Sequence, residues 1–160
     1  MPVLLLTVMA VWWFGFRPTD TQQDWVPVDT PFGLCGERSP GTSRETGCVV
    51  DGDTMVIGFG AERRRIRLIG FDTPEIDGAC KTESDLARAA QLRLYQWLSE
   101  GTFEWSGASQ PPYDQYGREL REVRRRTAAD TGPEYLAETM IESGLAAENG
   151  WGAWPHDWCS

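Results

Sequence analysis

Residues 48–75 read CVVDGDTMVIGFGAERRRIRLIGFDTPE, and the fold is decided in this stretch. Val49-Val50 end a short strand, and Asp51-Gly52-Asp53 has the composition of a turn or bulge. Thr54–Phe59 forms a second strand, and Gly60-Ala61-Glu62 connects it to the next as a hairpin. Arg63–Phe71 alternates basic and apolar residues, so it reads as a third strand with Ile66, Leu68 and Gly70 facing inward. Pro74 has no backbone N–H and a fixed φ, so Asp72-Thr73-Pro74-Glu75 stops that strand in a stiff turn.

Beyond this stretch, Glu83–Ser99 is a helix. Thr82 or Ser84 would cap it, and Leu86, Ala89, Leu92, Leu94, Tyr95 and Leu98 supply its apolar stripe. Gly101 ends it, and Thr102–Ser106 is a fourth strand. Gly107–Tyr116 is rich in turn formers. Arg118–Arg125 is a fifth strand with Leu120 and Val123 as its apolar members, and Glu134–Glu142 is a second helix. Short strands with a helix between the third and fourth suggest a mainly β, α+β chain built as a five-stranded oligonucleotide-binding (OB) barrel. An α+β sandwich gives a similar pattern.

Ahead of this domain, Val3–Phe16 reads VLLLTVMAVWWFGF, an uncharged run followed by Arg17. As a helix it would span about 21 Å, short of the roughly 30 Å of a bilayer core. It reads as an export signal, an uncleaved membrane anchor or a buried helix, with export favoured. The expected organisation is an export signal or anchor over 1–17, linker and loop over 18–45, and the folded domain over 46–160. The cysteines are Cys35, Cys48, Cys80 and Cys159, an even count that predicts two disulfides beside such a leader. Cys35 and Cys48 bracket a polar segment suited to a closed loop, which leaves Cys80 for Cys159. The expected location is therefore periplasmic or extracellular, with attachment to a membrane through the N-terminal run where that run stays uncleaved.

One His, His156, excludes multi-His zinc hydrolases and makes a Ser-His-Asp arrangement implausible. The carboxylates offer different chemistry. Asp53 and Asp72 lie at strand ends that adjoin in a small barrel. With the Thr73 carbonyl they form a hard-oxygen set suited to Ca²⁺ or Mg²⁺. Glu75 is placed to hold a water beside that ion. Arg67 and Arg118 are candidates for gripping a phosphate, because the guanidinium fork binds two of its oxygens at once.

The motifs VVDGDTM, RIRLIGFDTPE, DQYGREL and IESGLA, from about Cys48 to Ala146, resemble the staphylococcal nuclease-like (thermonuclease) family. The resemblance implies an OB barrel with packed helices and a metal-dependent phosphodiesterase. One Ca²⁺ ion would serve hydrolysis of DNA and RNA, leaving 3′-phosphate ends. Carried over by motif, Asp53, Asp72 and the Thr73 carbonyl would bind Ca²⁺, Glu75 would position or deprotonate the attacking water, and Arg67 and Arg118 would hold the scissile phosphate. On the same resemblance, Asp51 and Asp114 would shape the site. Tyr116 and Trp151 are the aromatic candidates for substrate contact. Gln115 and the segment Ile76–Cys80 depart from the family's best-known member, at places where that protein carries basic groups. The alternative reading is a nucleic-acid-binding OB module with weak catalysis. A monomer is expected.

The net charge of −9 counts against a generic nucleic-acid binder. Its distribution points the other way. Residues 61–67 carry four Arg against one Glu, and residues 113–126 carry five Arg against three acids, so the remainder is at −14. The strands bearing Arg67 and Arg118 are therefore expected to make the site electropositive inside an acidic exterior.

Overall fold

A computed structural model describes residues 24–36, 47–58, 60–128, 132–149 and 156–160. The N-terminal apolar run, Trp151 and Trp154 lie outside the described residues. Among those described, no helix is long and apolar enough to cross a membrane.

The fold is mainly β with two helices, an OB-like α+β arrangement. Strands β1 (Val26–Val28), β2 (Phe32–Leu34), β3 (Gly47–Val49), β4 (Thr54–Ile57), β5 (Arg64–Leu68) and β6 (Phe71–Asp72) precede helix α1 (Lys81–Ser99). Strands β7 (Phe103–Trp105), β8 (Glu119–Arg121), β9 (Val123–Arg125) and β10 (Glu134–Tyr135) follow, then helix α2 (Leu136–Glu142) and β11 (Ala147–Glu148). One sheet runs β2-β3-β4-β5-β8, a second β1-β7-β9-β10, and β6 pairs with β11.

The segment 119–125 joins the two large sheets. Its first half pairs in parallel with β5, and its second half pairs antiparallel with β7. The fifth strand expected from sequence is thus two strands that part at Glu122. Its inward residues also differ from expectation. Leu120 is half-buried, while Glu119 and Arg121 are buried at 3% and 1% exposure. They can be buried because their charges are satisfied. Glu119 accepts from Arg64 Nε at 2.5 Å and from Arg121 Nη2 at 2.8 Å. Arg121 Nη1 donates to the Ser106 and Ala108 carbonyls at 2.6 and 2.9 Å. Both guanidiniums also lie against the Trp105 ring, at 5.4 and 4.7 Å from its centre.

Other expectations change as well. The region read as linker and loop supplies β1 and β2, and Val28 and Phe32 enter the core. Each strand has three residues, too few for alternation to show. The third strand breaks before Gly70, which is exposed at φ 96°, a left-handed conformation that glycine adopts freely. Helix α1 buries Ala87, Ala90, Leu94, Trp97 and Leu98, while Leu92 is 46% exposed and Ala89 also faces out. Ala87 and Ala90 take buried positions where the helix lies close against its neighbours, as Ala90 does beneath Gly52. Its N-cap is Cys80, whose Sγ accepts from the Glu83 N–H at 3.4 Å, not Thr82 or Ser84. Helix α2 begins two residues later than expected, because Glu134 and Tyr135 pair with Arg125 and Arg124.

Both disulfides form as the spacing suggests, Cys35–Cys48 and Cys80–Cys159. They are compatible with an exported protein. Glu119 provides a test of the buried charge network. Glu119→Ala should destabilise the protein by about 3–5 kcal/mol, because it strands buried Arg121 without its carboxylate. Denaturant unfolding checks this, and a loss under about 1 kcal/mol contradicts it.

Candidate active site

The turn between β3 and β4 is built by its own side chains. Asp51 Oδ1 accepts the Asp53 backbone N–H at 3.1 Å, a local bond that fixes the turn. Gly52 presses the turn onto α1. A Cβ there would stand 2.7 Å from Ala90 Cβ and 2.8 Å from Thr73 Cγ2, closer than carbon atoms tolerate.

This places the Asp53 carboxylate in the interior, at 1% residue exposure. Its Oδ1 accepts from Thr54 Oγ1 at 3.0 Å and from Arg67 Nη1 at 2.5 Å, and its Oδ2 accepts from Thr73 Oγ1 at 3.0 Å. Arg67 reaches it because β4 and β5 pair Thr54 with Arg67. The other end of the same guanidinium, Nη2, donates to Asp72 Oδ1 at 2.5 Å. Asp72 is held at that position by its pairing with Ala147. One arginine thus spans the two carboxylates that the sequence singled out, with Thr73 beside them.

Burial pushes the Asp53 pKa up to about 7, against the pull of Arg67. Asp51 adds to the rise, and the hydroxyls of Thr73 and Thr54 oppose it. Glu75 follows buried Pro74 and stands exposed at the rim. Its pKa is raised by loss of water on its protein side, then by Asp51, Asp72 and Glu83, with Arg67 opposing.

Arg118 is placed differently. It precedes β8, the neighbour of β5, and its Nε donates to Asp114 Oδ2 at 2.6 Å. Asp114 also accepts the backbone N–H groups of Tyr116 and Arg118, at 2.8 and 2.9 Å, so this carboxylate shapes the loop. Tyr116 is 74% exposed, with the Arg118 guanidinium 5.5 Å from its ring centre. Among the described residues Arg118 makes no ion pair with Asp53 or Asp72; its partner is Asp114. Trp151 lies outside the described residues.

The donor chemistry of the Asp53–Asp72 corner fits a hard divalent cation. Two carboxylates lie within the reach of one guanidinium, with Asp51 and Glu75 adding negative charge. Arg67 brings one positive charge to this set of carboxylates, and burial holds the Asp53 pKa up against its pull. A second cluster does not fit. Cys80, Glu83 and Cys159 have ligand spacing, but the two sulfurs are bonded to each other and offer no thiolate.

A model of the staphylococcal nuclease homologue family matches residues 65–152, more than half of the chain. The chain belongs to the staphylococcal nuclease homologue family. No curated protein matches it. The matched span of this nuclease homologue contains Arg67, Asp72, Thr73, Glu75 and Arg118. Asp53 lies ahead of the span, and its link to the site is the Arg67 ion pair.

The sequence reading missed Glu83. Its Oε2 accepts the Ala79 N–H at 2.6 Å and its Oε1 accepts the Glu75 N–H at 3.5 Å. The signal was present as Cys80-Lys81-Thr82-Glu83, a cap residue with a glutamate three positions on. It went unread because cysteine is not an ordinary cap.

Two outcomes follow from this geometry. Gly52→Ala should cost about 1–3 kcal/mol in denaturant unfolding, since Ala90 and Thr73 must shift to admit the methyl; an unchanged midpoint contradicts that packing. The second outcome concerns pH. Folding raises the Asp53 pKa, so the unfolded chain ionises first and Asp53's contribution to stability falls as pH rises from about 4 to about 7. Glu104 and Glu119, whose pKa values folding lowers, act at acid pH, losing their contribution as pH falls through the folded values. In chelator, melting temperature should therefore drop between pH 5.5 and 8, and Asp53→Asn should flatten that drop. A wild-type profile that rises over this interval contradicts the assignment.

Proposed function

We propose that this nuclease homologue is an exported, Ca²⁺-dependent phosphodiesterase that hydrolyses DNA and RNA and leaves 3′-phosphate ends. The observation that carries this reading is the Arg67 guanidinium spanning Asp53 and Asp72 beside Thr73 and Glu75. It gathers hard-oxygen donors, a base and a phosphate-binding fork at one corner. Membership in a nuclease family supports the substrate class.

Asp53, Asp72 and the Thr73 carbonyl would hold the ion. Bound there, Ca²⁺ would supply positive charge that polarises the phosphate and acidifies a neighbouring water. Glu75 orients that water and takes its proton. Its raised pKa brings the carboxylate nearer to a useful base strength at neutral pH. Water oxygen attacks phosphorus, the bond to the 5′ oxygen breaks, that oxygen leaves as a 5′ hydroxyl with a proton from solvent, and the phosphate stays on the 3′ side. Arg67 turns its fork from the carboxylates towards phosphate oxygens, where charge builds up in the transition state. Arg118 approaches from the neighbouring strand, with Tyr116 against it to carry a base or sugar. The protein acts as a monomer.

Purified protein with plasmid or single-stranded DNA, in Ca²⁺ or EGTA, tests the proposal. Ca²⁺-stimulated cleavage is expected, with 3′-phosphate termini. Glu75→Gln should lower kcat by about 10²–10⁴-fold with little change in melting temperature. Retarded DNA in a gel shift without cleavage replaces this reading with a non-catalytic binding module.

A further inference from the structure

The turn that carries Glu75 is fixed from one side by a single carboxylate. Residues 75–79 leave the Pro74 turn and run to the cap of α1. Among the described residues, Glu83 is the side chain that hydrogen-bonds to the backbone of this loop. It takes the Ala79 N–H at 2.6 Å, a charge-assisted bond, and the Glu75 N–H more distantly at 3.5 Å. Gly78 shows how closely the loop lies on it. A Cβ at Gly78 would sit 2.5 Å from Glu83 Cδ and Cγ and 2.6 Å from its Oε2.

Glu83 is itself held. It stands in the first turn of α1, where the helix dipole favours a negative charge. Its N–H donates to Cys80 Sγ, and Cys80 is bonded to Cys159, whose Sγ lies 3.9 Å from Glu83 Oε2. The long helix and the disulfide therefore anchor this carboxylate, and the carboxylate anchors the loop.

We propose that Glu83 is a positioning residue: by holding the 75–79 loop, it sets where the Glu75 carboxylate meets the attacking water. This rests on the nuclease reading above, and Glu83 itself touches neither ion nor substrate. A displacement of about 1 Å in a reacting group can cost on the order of 100-fold in rate.

The test is a cycle of Glu83→Ala, Glu83→Gln and Glu75→Gln, with the Glu75→Gln/Glu83→Ala double variant. Cleavage of single-stranded DNA is followed in Ca²⁺. Glu83→Ala should lower kcat about 10–100-fold while KM and half-saturating Ca²⁺ change less than about twofold. Glu83→Gln keeps one carbonyl acceptor for the Ala79 N–H and should recover most of the rate. In the Glu75→Gln background, Glu83→Ala should cost less than about twofold, because the group it positions is already gone. Amide exchange at Ala79 should accelerate in Glu83→Ala. Should that variant unfold, Gly78→Ala displaces the carboxylate from the loop side and should give the same kcat-selective loss. Unchanged kcat, or an equal loss with and without Glu75, overturns the inference while leaving the nuclease reading intact. Absence of Ca²⁺-stimulated cleavage by the unaltered protein overturns both.

Discussion

The guanidinium of Arg67 ties together two turns that come from different pairs of strands. One carries Asp53 between β3 and β4, the other Asp72 at the end of β6. Without this cation, the buried Asp53 carboxylate would face the half-exposed Asp72 carboxylate unpaired. A buried charge without a partner costs several kcal/mol, so the corner could not hold its shape alone. The pairing is also incomplete by design. One positive charge stands against Asp51, Asp53, Asp72 and Glu75, and the Asp53 pKa rises because burial outweighs it. Such residual negative charge costs stability and makes the corner receptive to a divalent cation.

Helix α1 is the floor on which this corner rests. Ala90 lies under Gly52, and the Gln91 side chain donates to the Val49 and Val50 carbonyls at 3.3 and 2.8 Å. These bonds satisfy strand-end carbonyls exactly where β3 gives way to the Asp51 turn. At its N-terminal end the helix presents Glu83 to the loop after Pro74. The same 19-residue element therefore sets both sides of the site, one through small side chains and one through a carboxylate.

Legibility in the sequence followed how local each determinant is. Asp51-Gly52-Asp53-Thr54 and Asp72-Thr73-Pro74-Glu75 could be read because turn chemistry lies in adjacent residues. The disulfide pairs could be read because Cys35 and Cys48 enclose a short loop. Strands β1 and β2 could not, since three residues show no alternation and the partner of β1 lies far along the chain, at Phe103–Trp105. The buried face of α1 was misread because hydrophobicity favours Leu92 over Ala90, whereas close packing on the strands selects the smaller residue. Glu119 and Arg121 escaped notice for a related reason. Glu119 and Arg121 pair with each other two residues apart, but the partners that complete their burial, Arg64 for Glu119 and the Ser106 and Ala108 carbonyls for Arg121, are distant in sequence.

The same pairing changes what the charge pattern means. Basic stretches at 61–67 and 113–126 suggested an electropositive site, yet most of those arginines are neutralised within the fold. Arg64 and Arg121 share Glu119, Arg124 and Arg126 share Glu104, Arg125 meets Glu100, and Arg118 meets Asp114. Arg67 is divided between two carboxylates. A local excess of arginine therefore holds strands together before it attracts an anion. For a polyanion to bind, its phosphates must displace carboxylates from Arg67 and Arg118, an exchange of one ion pair for another with small net gain. On the nuclease reading proposed above, the positive charge that favours a phosphate at this corner would come chiefly from a cation held by the carboxylates. Affinity for nucleic acid and affinity for the ion would then be one property of the Asp53–Asp72 corner, not two.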